Sequence, residues 1–236
     1  MHLFYTPDIQ PQHKAFILSE EESKHAVRVL RLSTGQPLQL VDGKGGRYTA
    51  VISDAHPKRT VLEITTVSQG DGRRPNYLHI AVAPTKSIDR LEWFLEKATE
   101  VGVDEITPII CDHSERKEVK LERLYKVVVA AMKQSQGAYL PKINPATRFA
   151  DFVSGDDLSG QCFIAHCAEG EKRHLTEAMQ RGGEALILIG PEGDFSPGEI
   201  DAAAHAGFKP ITFGRARLRT ETAALMACWE TALINR

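Results

Sequence analysis

Cysteine is scarce in this 236-residue chain: four in all, none in a C-x-x-C pair. A disulfide framework is therefore not expected, and a reducing, cytoplasmic setting is the simple inference. Long apolar runs are missing too. The run around Ala185–Ile189, like every other, falls far short of the ~20 residues that cross a bilayer. The opening residues, MHLFYTPDIQ, lack the basic start and apolar stretch of a signal peptide. No excess of one charge exists, with 29 basic against 31 acidic side chains. Residues 1–72 hold 8 of each sign, leaving 21 and 23 for the remainder. Bulk polycation binding to nucleic acid is thus excluded, and any such surface must be a local patch. Several catalytic signatures are absent: no G-x-G-x-x-G after a strand, no G-x-x-x-x-G-K-[ST], no H-E-x-x-H and no G-x-S-x-G. Dehydrogenase, kinase and hydrolase readings lose most of their support. Cys162, His166 and Cys167 are metal-ligand types, but His166 and Cys167, adjacent on a strand, point to opposite faces. No metal site is expected.

What is present is an ordinary core-forming composition, 42% hydrophobic and 25% charged. The texture changes near Gln69–Arg74, in the linker-like stretch QGDGRRP (69–75), so domains at 1–72 and 73–236 are expected. In the first, Ser19 to Glu22 reads as a capping box opening a helix that runs to about Leu32, with Ala26, Val27 and Leu30 inward. Strands are expected at 38–41, 48–52 and 61–67, the DGKGGR turn at 42–47 serving as a hairpin rather than a phosphate cradle. From Pro75 strand and helix alternate. Strands at 77–83, 105–110, 162–166, 185–189 and 210–213 are interleaved with helices, including one capped by Ser87 and ended by Gly102, one at 121–134 and one from about 221 to 235. The pattern is that of an α/β unit with a mostly parallel sheet covered by helices on both faces, preceded by a small β-rich module.

Two segments near the C-terminus carry the chemistry. In ALILIGPEGDFSPGEI (185–200) an apolar strand runs into Gly190-Pro191-Glu192-Gly193. Ser196, Pro197 and Glu199 then fit the N-cap, N1 and N3 of a helix. A glycine-flanked turn at the carboxyl end of a parallel strand is where α/β proteins bind ligands, although a tight strand-to-helix connection would read the same. In FGRARLRTETAALMA (213–227) a strand ends at Phe213-Gly214, a basic loop follows, and Thr220 is expected to cap a helix that opens with Glu221. Lys24, Arg28 and Arg31, at i, i+4 and i+7, form a basic stripe on the first helix.

Together, G-P-E-G after a strand and L-R-T-E-T-A some 25 residues later resemble the SPOUT class of methyltransferases. More narrowly, the chain resembles the RsmE-type 16S rRNA (uracil-N3) methyltransferases over nearly its whole length. Supporting stretches are LEKATEVGVDEITPI (95–109), MKQSQGAYLPKI (132–143) and HAVRVLRL (25–32). The sequence departs from many relatives at Gln136-Gly137-Ala138, where they carry a basic residue.

The resemblance implies a PUA-like barrel over 1–72 and a trefoil-knotted SPOUT domain over 73–236. It implies S-adenosyl-L-methionine as cofactor, walled by 164–166, 189–193 and 213–223. The cofactor contacts expected are Ala165, His166, Ile189, Gly190, Pro191, Gly193, Phe213, Gly214, Leu218, Thr220, Thr222 and Ala223. Arg219 is the candidate for stabilising charge on the uracil, and Glu192 the candidate general base, with Glu221 as second choice. RNA contacts are expected from Lys24, Arg28, Arg31, Lys86, Arg90 and Lys133. The implied partners are 16S rRNA, in the small ribosomal subunit or its late precursor, and a second copy of the chain, with no membrane involved. The alternatives are another SPOUT methylation, at ribose 2′-O, and a non-catalytic ribosome-assembly factor that kept the fold.

Overall fold

The structure, a computed structural model, describes residues 1–70, 72–155 and 158–236. Asp71, within the expected linker, lies outside them. Two compact units result: Met1–Arg73 with Met132–Leu140, and Arg74–Ala131 with Pro141–Arg236.

The first unit contains β1 (Leu3–Tyr5), β2 (Ala15–Ile17), α1 (Glu20–Lys24), a π-turn (His25–Val29), β3 (Pro37–Val41), β4 (Arg47–Asp54) and β5 (Val61–Ser68). The five strands form one sheet in the order β1-β3-β4-β5-β2, parallel between β1 and β3 and antiparallel elsewhere. Period-2 patterning builds its core: Leu38 and Leu40 of β3 and Tyr48, Ala50 and Ile52 of β4 turn inward onto Phe4, Leu18 and Ala26. The 42–47 turn is a hairpin closed on a buried Asp42. Its carboxylate accepts the Lys44 N–H at 2.7 Å, the Gly46 N–H at 2.9 Å and the Tyr48 hydroxyl at 3.2 Å.

The first helix departs from expectation. It is α-helical only to Lys24, widens to a π-turn over His25–Val29 and stops at Leu30, with Arg31 at φ 56°. Ala26 is buried as expected, but Val27 and Leu30 are only half-buried. Ser19 does cap, accepting from the Glu22 N–H at 3.2 Å, but the Glu22 carboxylate turns to Lys133 Nζ at 2.8 Å instead of back to the cap. The box is half made because an ion pair competes for the glutamate.

Segment 132–140 also differs from the expected division of the chain. Met132 and Ala138 pack with Leu3 and Val41, the Gly45 N–H donates to the Ala138 carbonyl, and the Leu140 N–H donates to the Gly43 carbonyl. Gly45 must be bare there, since the Tyr139 ring occupies the space of a Cβ.

The second unit runs β6 (Asn76–Val82), α2 (Ile88–Val101), β7 (Glu105–Ile110), α3 (Leu121–Gln134, the part from Met132 on belonging to the first unit), β8 (Lys142–Ile143), β9 (Thr147–Arg148), α4 (Phe149–Val153), β10 (Gln161–Ala165), β11 (Arg173–His174), α5 (Leu175–Ala178), β12 (Gly183–Ile189), α6 (Pro197–His205), β13 (Lys209–Thr212) and α7 (Thr220–Ile234). The strand order is β11-β13-β10-β12-β6-β7-β8, with β9 also on β7, and every pairing between them is parallel. Strands buried on both faces read as continuous apolar runs, and β12 obeys: Ala185 to Ile189 are all buried. Leu186 and Leu188 point into a core with Phe149, Phe195, Ala203 and Phe208 from the α4 and α6 side. By alternation Ala185, Ile187 and Ile189 face the other layer, where α7 crosses β6 and β12 and packs on α2. Gly102, at φ 111°, ends α2 in the left-handed conformation, its N–H returning to Ala98.

At the amino ends of these strands sits a hydrogen-bonded cluster. Glu105 accepts from Tyr77, from Lys142 at 2.8 Å and from Asn144 at 2.6 Å, and His79 Nε2 meets the Thr107 hydroxyl at 2.7 Å. Burial pushes the His79 imidazole down to about 4, helped by Lys142 and opposed by Glu105. Burial alone would raise the Glu105 carboxyl, but its donors win and hold it at about 2.

Candidate cofactor and catalytic site

The carboxyl ends of β10, β12 and β13 open a cavity of about 500 Å³ in the second unit. Ladder pairing between β10 and β12 stops at Ala165 and Ile189, and the cleft begins where the strands part. Its walls come from the β10 exit, from the turn 190–194 and from the loop between β13 and α7. Of the residues expected to hold a cofactor, all line it except Gly193 and Thr222. Arg219 and Glu192 line it as well.

The two exceptions have local reasons. Gly193 is turned toward His113, whose Cβ lies 2.9 Å from where a Gly193 Cβ would stand, so this glycine serves close packing. Thr220 and Ala223, three apart, share the cavity face of α7, and Thr222 therefore looks elsewhere. Glu221 does not reach the cavity either. It is 8% exposed and lies 3.8 Å from the Arg90 guanidinium on α2.

The helix starts also differ in part. Ser196 forms the full capping box with Glu199, and Pro197 opens α6. At α7 the N-cap residue is Arg219, without a side-chain cap, and Thr220 instead donates its hydroxyl to the Gly190 carbonyl at 3.0 Å. That bond ties the α7 entrance to the turn after β12. At α2 the N-cap residue is Ser87, also without a side-chain cap.

Glu192 is held from outside the turn. Its Oε1 accepts the Lys86 N–H at 2.9 Å, while Arg116 fixes that same loop by donating to the Thr85 and Lys86 carbonyls at 3.1 and 2.8 Å. Arg217 reaches the Glu192 carbonyl at 3.4 Å. His166 Nδ1 is buried with no hydrogen-bond partner among the described residues. Burial and the Lys172 ammonium push this imidazole below its ordinary value, with Asp194 opposing, so the ring is neutral and keeps one acceptor and one donor. Sequence reasoning missed Cys167, Lys172, Asp194, Ile211 and Thr212, which also line the cavity. Lys172 comes from an irregular stretch with no pattern to read, whereas Asp194 directly follows the G-P-E-G turn. Among the described residues, no group of three or more His, Cys, Asp or Glu could hold a metal, and the four cysteines are free.

The basic residues separate between the units. Lys24, Arg28 and Arg31 are exposed on the first and make no ion pair among the described residues, but the π-turn and the left-handed Arg31 break the single helical stripe expected of them. Lys133 belongs to the same unit, bonded to Glu22 and 5.7 Å from the Phe4 ring centroid. Lys86 and Arg90 lie in the second unit, facing Glu115 at 2.7 Å and Glu221 at 3.8 Å.

The pattern of a family described as RNA methyltransferase domain matches residues 73–231, and one described as RNA methyltransferase PUA domain matches 18–65. The chain belongs to the RNA methyltransferase family. A Rickettsia conorii protein named ribosomal RNA small subunit methyltransferase E is 28% identical over 220 residues, 92% of this chain and 89% of its own length. Among solved structures, a probable rRNA-methyltransferase from Porphyromonas gingivalis is 39% identical with a TM-score of 0.91, covering 100% of this chain and 98% of its own. The ribosomal RNA small subunit methyltransferase E of Neisseria gonorrhoeae, bound to S-adenosyl methionine, is 26% identical with a TM-score of 0.90 and the same coverage. The fold of this methyltransferase is thus shared with these two solved structures. Among its described residues no helix is long and apolar enough to cross a membrane.

Proposed function

We propose that this methyltransferase uses S-adenosyl-L-methionine to methylate N3 of a specific uridine in 16S rRNA, within the small ribosomal subunit or its late precursor in the cytoplasm. The observation that carries the reading is the cavity itself. It brings the G-P-E-G turn and the L-R-T-E-T-A helix entrance around one space of a size suited to a nucleoside-containing ligand. The residues fit such a group. Ile189, Leu218 and Phe213 offer apolar surface for an adenine, Gly190 and Gly214 bare backbone, and His166 Nδ1 a buried polar atom lacking a partner. When bound, S-adenosylmethionine supplies an electrophilic methyl group on a sulfonium, for which no metal is needed.

The chain's own task is to hold the uracil in line and manage the N3 proton. Arg219 stands exposed at the α7 entrance with no ion pair among the described residues, and its guanidinium stays charged, so it is suited to stabilise the negative charge left on the base. Glu192, oriented by the Lys86 N–H, is the proposed acceptor of that proton. Both stand on the same cavity.

Lys24, Arg28 and Arg31 are the proposed phosphate contacts, with Lys86, Arg90 and Lys133 as lesser ones because each already faces a carboxylate. The Arg28→Glu, Arg31→Glu double variant is expected to weaken binding to small-subunit RNA at least tenfold and flatten its salt dependence, with cofactor affinity unchanged. Filter binding across a salt series checks this. A second copy is expected on α7, where Trp229 and Leu233 are 46% and 42% exposed at i and i+4.

The deciding experiment incubates the protein with labelled S-adenosylmethionine and small subunits lacking the modification, then digests the RNA to nucleosides. A 3-methyluridine product supports the proposal, and a 2′-O-methyl product would replace the reaction while keeping the class. Cofactor binding with no methyl transfer to any subunit preparation would refute it.

A further inference from the structure

Where β10 and β12 part, one side chain spans the gap. Beyond Ala165 and Ile189 no ladder bond connects the strands, and the Cys167 N–H would have no partner there. Asp194 Oδ2 accepts it at 2.7 Å, while Oδ1 accepts the N–H of Phe195 at 2.9 Å. The Asp194 carbonyl, with that of Gly193, is approached by His113 Nδ1 at 3.0 and 3.1 Å. The Asp194 N–H closes the turn onto the Pro191 carbonyl at 2.9 Å. Asp194 adopts this role at φ 66°, in the left-handed region that L-residues other than Asn and Asp enter reluctantly. Nothing local requires aspartate here, since glycine would close the same turn without strain.

We propose that Asp194 is a positioning residue that sets the width of the cofactor cavity, fixing the β10 exit against the G-P-E-G turn through the Cys167 N–H. The inference rests on the cofactor reading of this cavity. Both carboxylate oxygens are occupied within the protein, so Asp194 acts through the backbone and not on the substrate. Lys172 completes the arrangement from the other side, its ammonium donating to the carbonyls of His166 and Ala168 and holding the same three-residue exit. The exit is thereby pinned at an N–H by an anion and at two carbonyls by a cation. His166, whose Nδ1 has no partner, sits between them.

The test is Asp194→Gly in the full-length protein, with Asp194→Asn beside it. Glycine removes the bridge and the strain together, so the melting temperature without cofactor is expected to stay level or rise. The Kd for S-adenosylmethionine, by calorimetry, is expected to rise about tenfold, the loss of one charge-assisted hydrogen bond. Asparagine tolerates the left-handed conformation and keeps one acceptor, so it should recover part of the affinity. Turnover at saturating cofactor should change little, placing the defect in KM and not in kcat. A glycine variant with wild-type Kd overturns the inference and leaves the cofactor reading standing. Parallel loss of melting temperature and affinity overturns it too, because a merely structural residue behaves that way. Absence of S-adenosylmethionine binding by the wild-type protein fails the cofactor reading, and this inference with it.

Discussion

Arg219→Ala is expected to slow methyl transfer about 10²–10³-fold at saturating cofactor and RNA, the range seen when one preorganised donor to a developing anion is removed. Its guanidinium stands on the cavity wall at the entrance to α7, and no carboxylate among the described residues neutralises it. Removing it leaves the helix cap unchanged, because no side chain caps α7 in the first place. Melting temperature and S-adenosylmethionine affinity are therefore expected to stay near wild type, and single-turnover rates on small subunits to carry the whole loss. Arg219→Lys should restore little, since an ammonium lacks the planar, two-donor face that a uracil carbonyl edge could engage. A lysine variant as fast as wild type would reduce Arg219 to a point charge. An alanine variant as fast as wild type would remove it from the chemistry.

The second large effect is on stability in mild acid. His79 is neutral in the folded protein, at about 4, and takes up a proton near 6.5 once unfolded. Its depressed value means that the unfolded chain binds the extra proton, so stability is complete above pH 6.5 and declines as pH falls toward 4. The loss across that window is about 3 kcal/mol at 1.4 kcal/mol per unit. Glu105 acts in a lower window with the same sign. Held at about 2 by Lys142, Tyr77 and Asn144, it stabilises fully above its unfolded value and loses that contribution as pH drops from about 4.5 toward 2. Denaturant midpoints between pH 7 and 4 should fall steadily for the wild type. They should fall much less for His79→Gln, whose amide can still meet the Thr107 hydroxyl. Superimposable pH profiles would show that the imidazole titrates alike folded and unfolded.

Why these groups were not visible beforehand follows from their kind. The apolar run of β12, the S-P-x-E start of α6 and the glycine ending α2 were legible, because each is a local pattern with one physical meaning. His79 was not, since a single histidine in a strand says nothing until its neighbours across β7 and β8 are known. The three-residue strands β1 and β2 were missed for a related reason: they are held by edge pairing, and three residues give no periodicity to read. The π-turn in the first helix is invisible to a 3.6-residue template, so a basic stripe at i, i+4 and i+7 presumes a helix that does not continue. In the candidate site, turn and loop segments were placed by motif. Asp194 was not, because its role rests on the Cys167 N–H, 27 residues away in sequence; Lys172 was not, because the irregular loop that folds its ammonium back onto the nearby His166 and Ala168 carbonyls carries no periodicity.

The excursion of residues 132–140 into the first unit has a consequence for how the protein is made. During synthesis the N-terminal sheet emerges long before Met132 and Ala138, which complete the small core with Leu3 and Val41. That face of the nascent module stays open until β6, α2, β7 and most of α3 have followed it out of the ribosome. No single cut in the chain yields both units whole, since the backbone passes between them near residues 73, 131 and 140. A gene fragment ending at the linker would encode a module with an unfilled seam, and grafting the methyltransferase half onto another RNA-binding module would have to carry the 132–140 loop along or rebuild its seat.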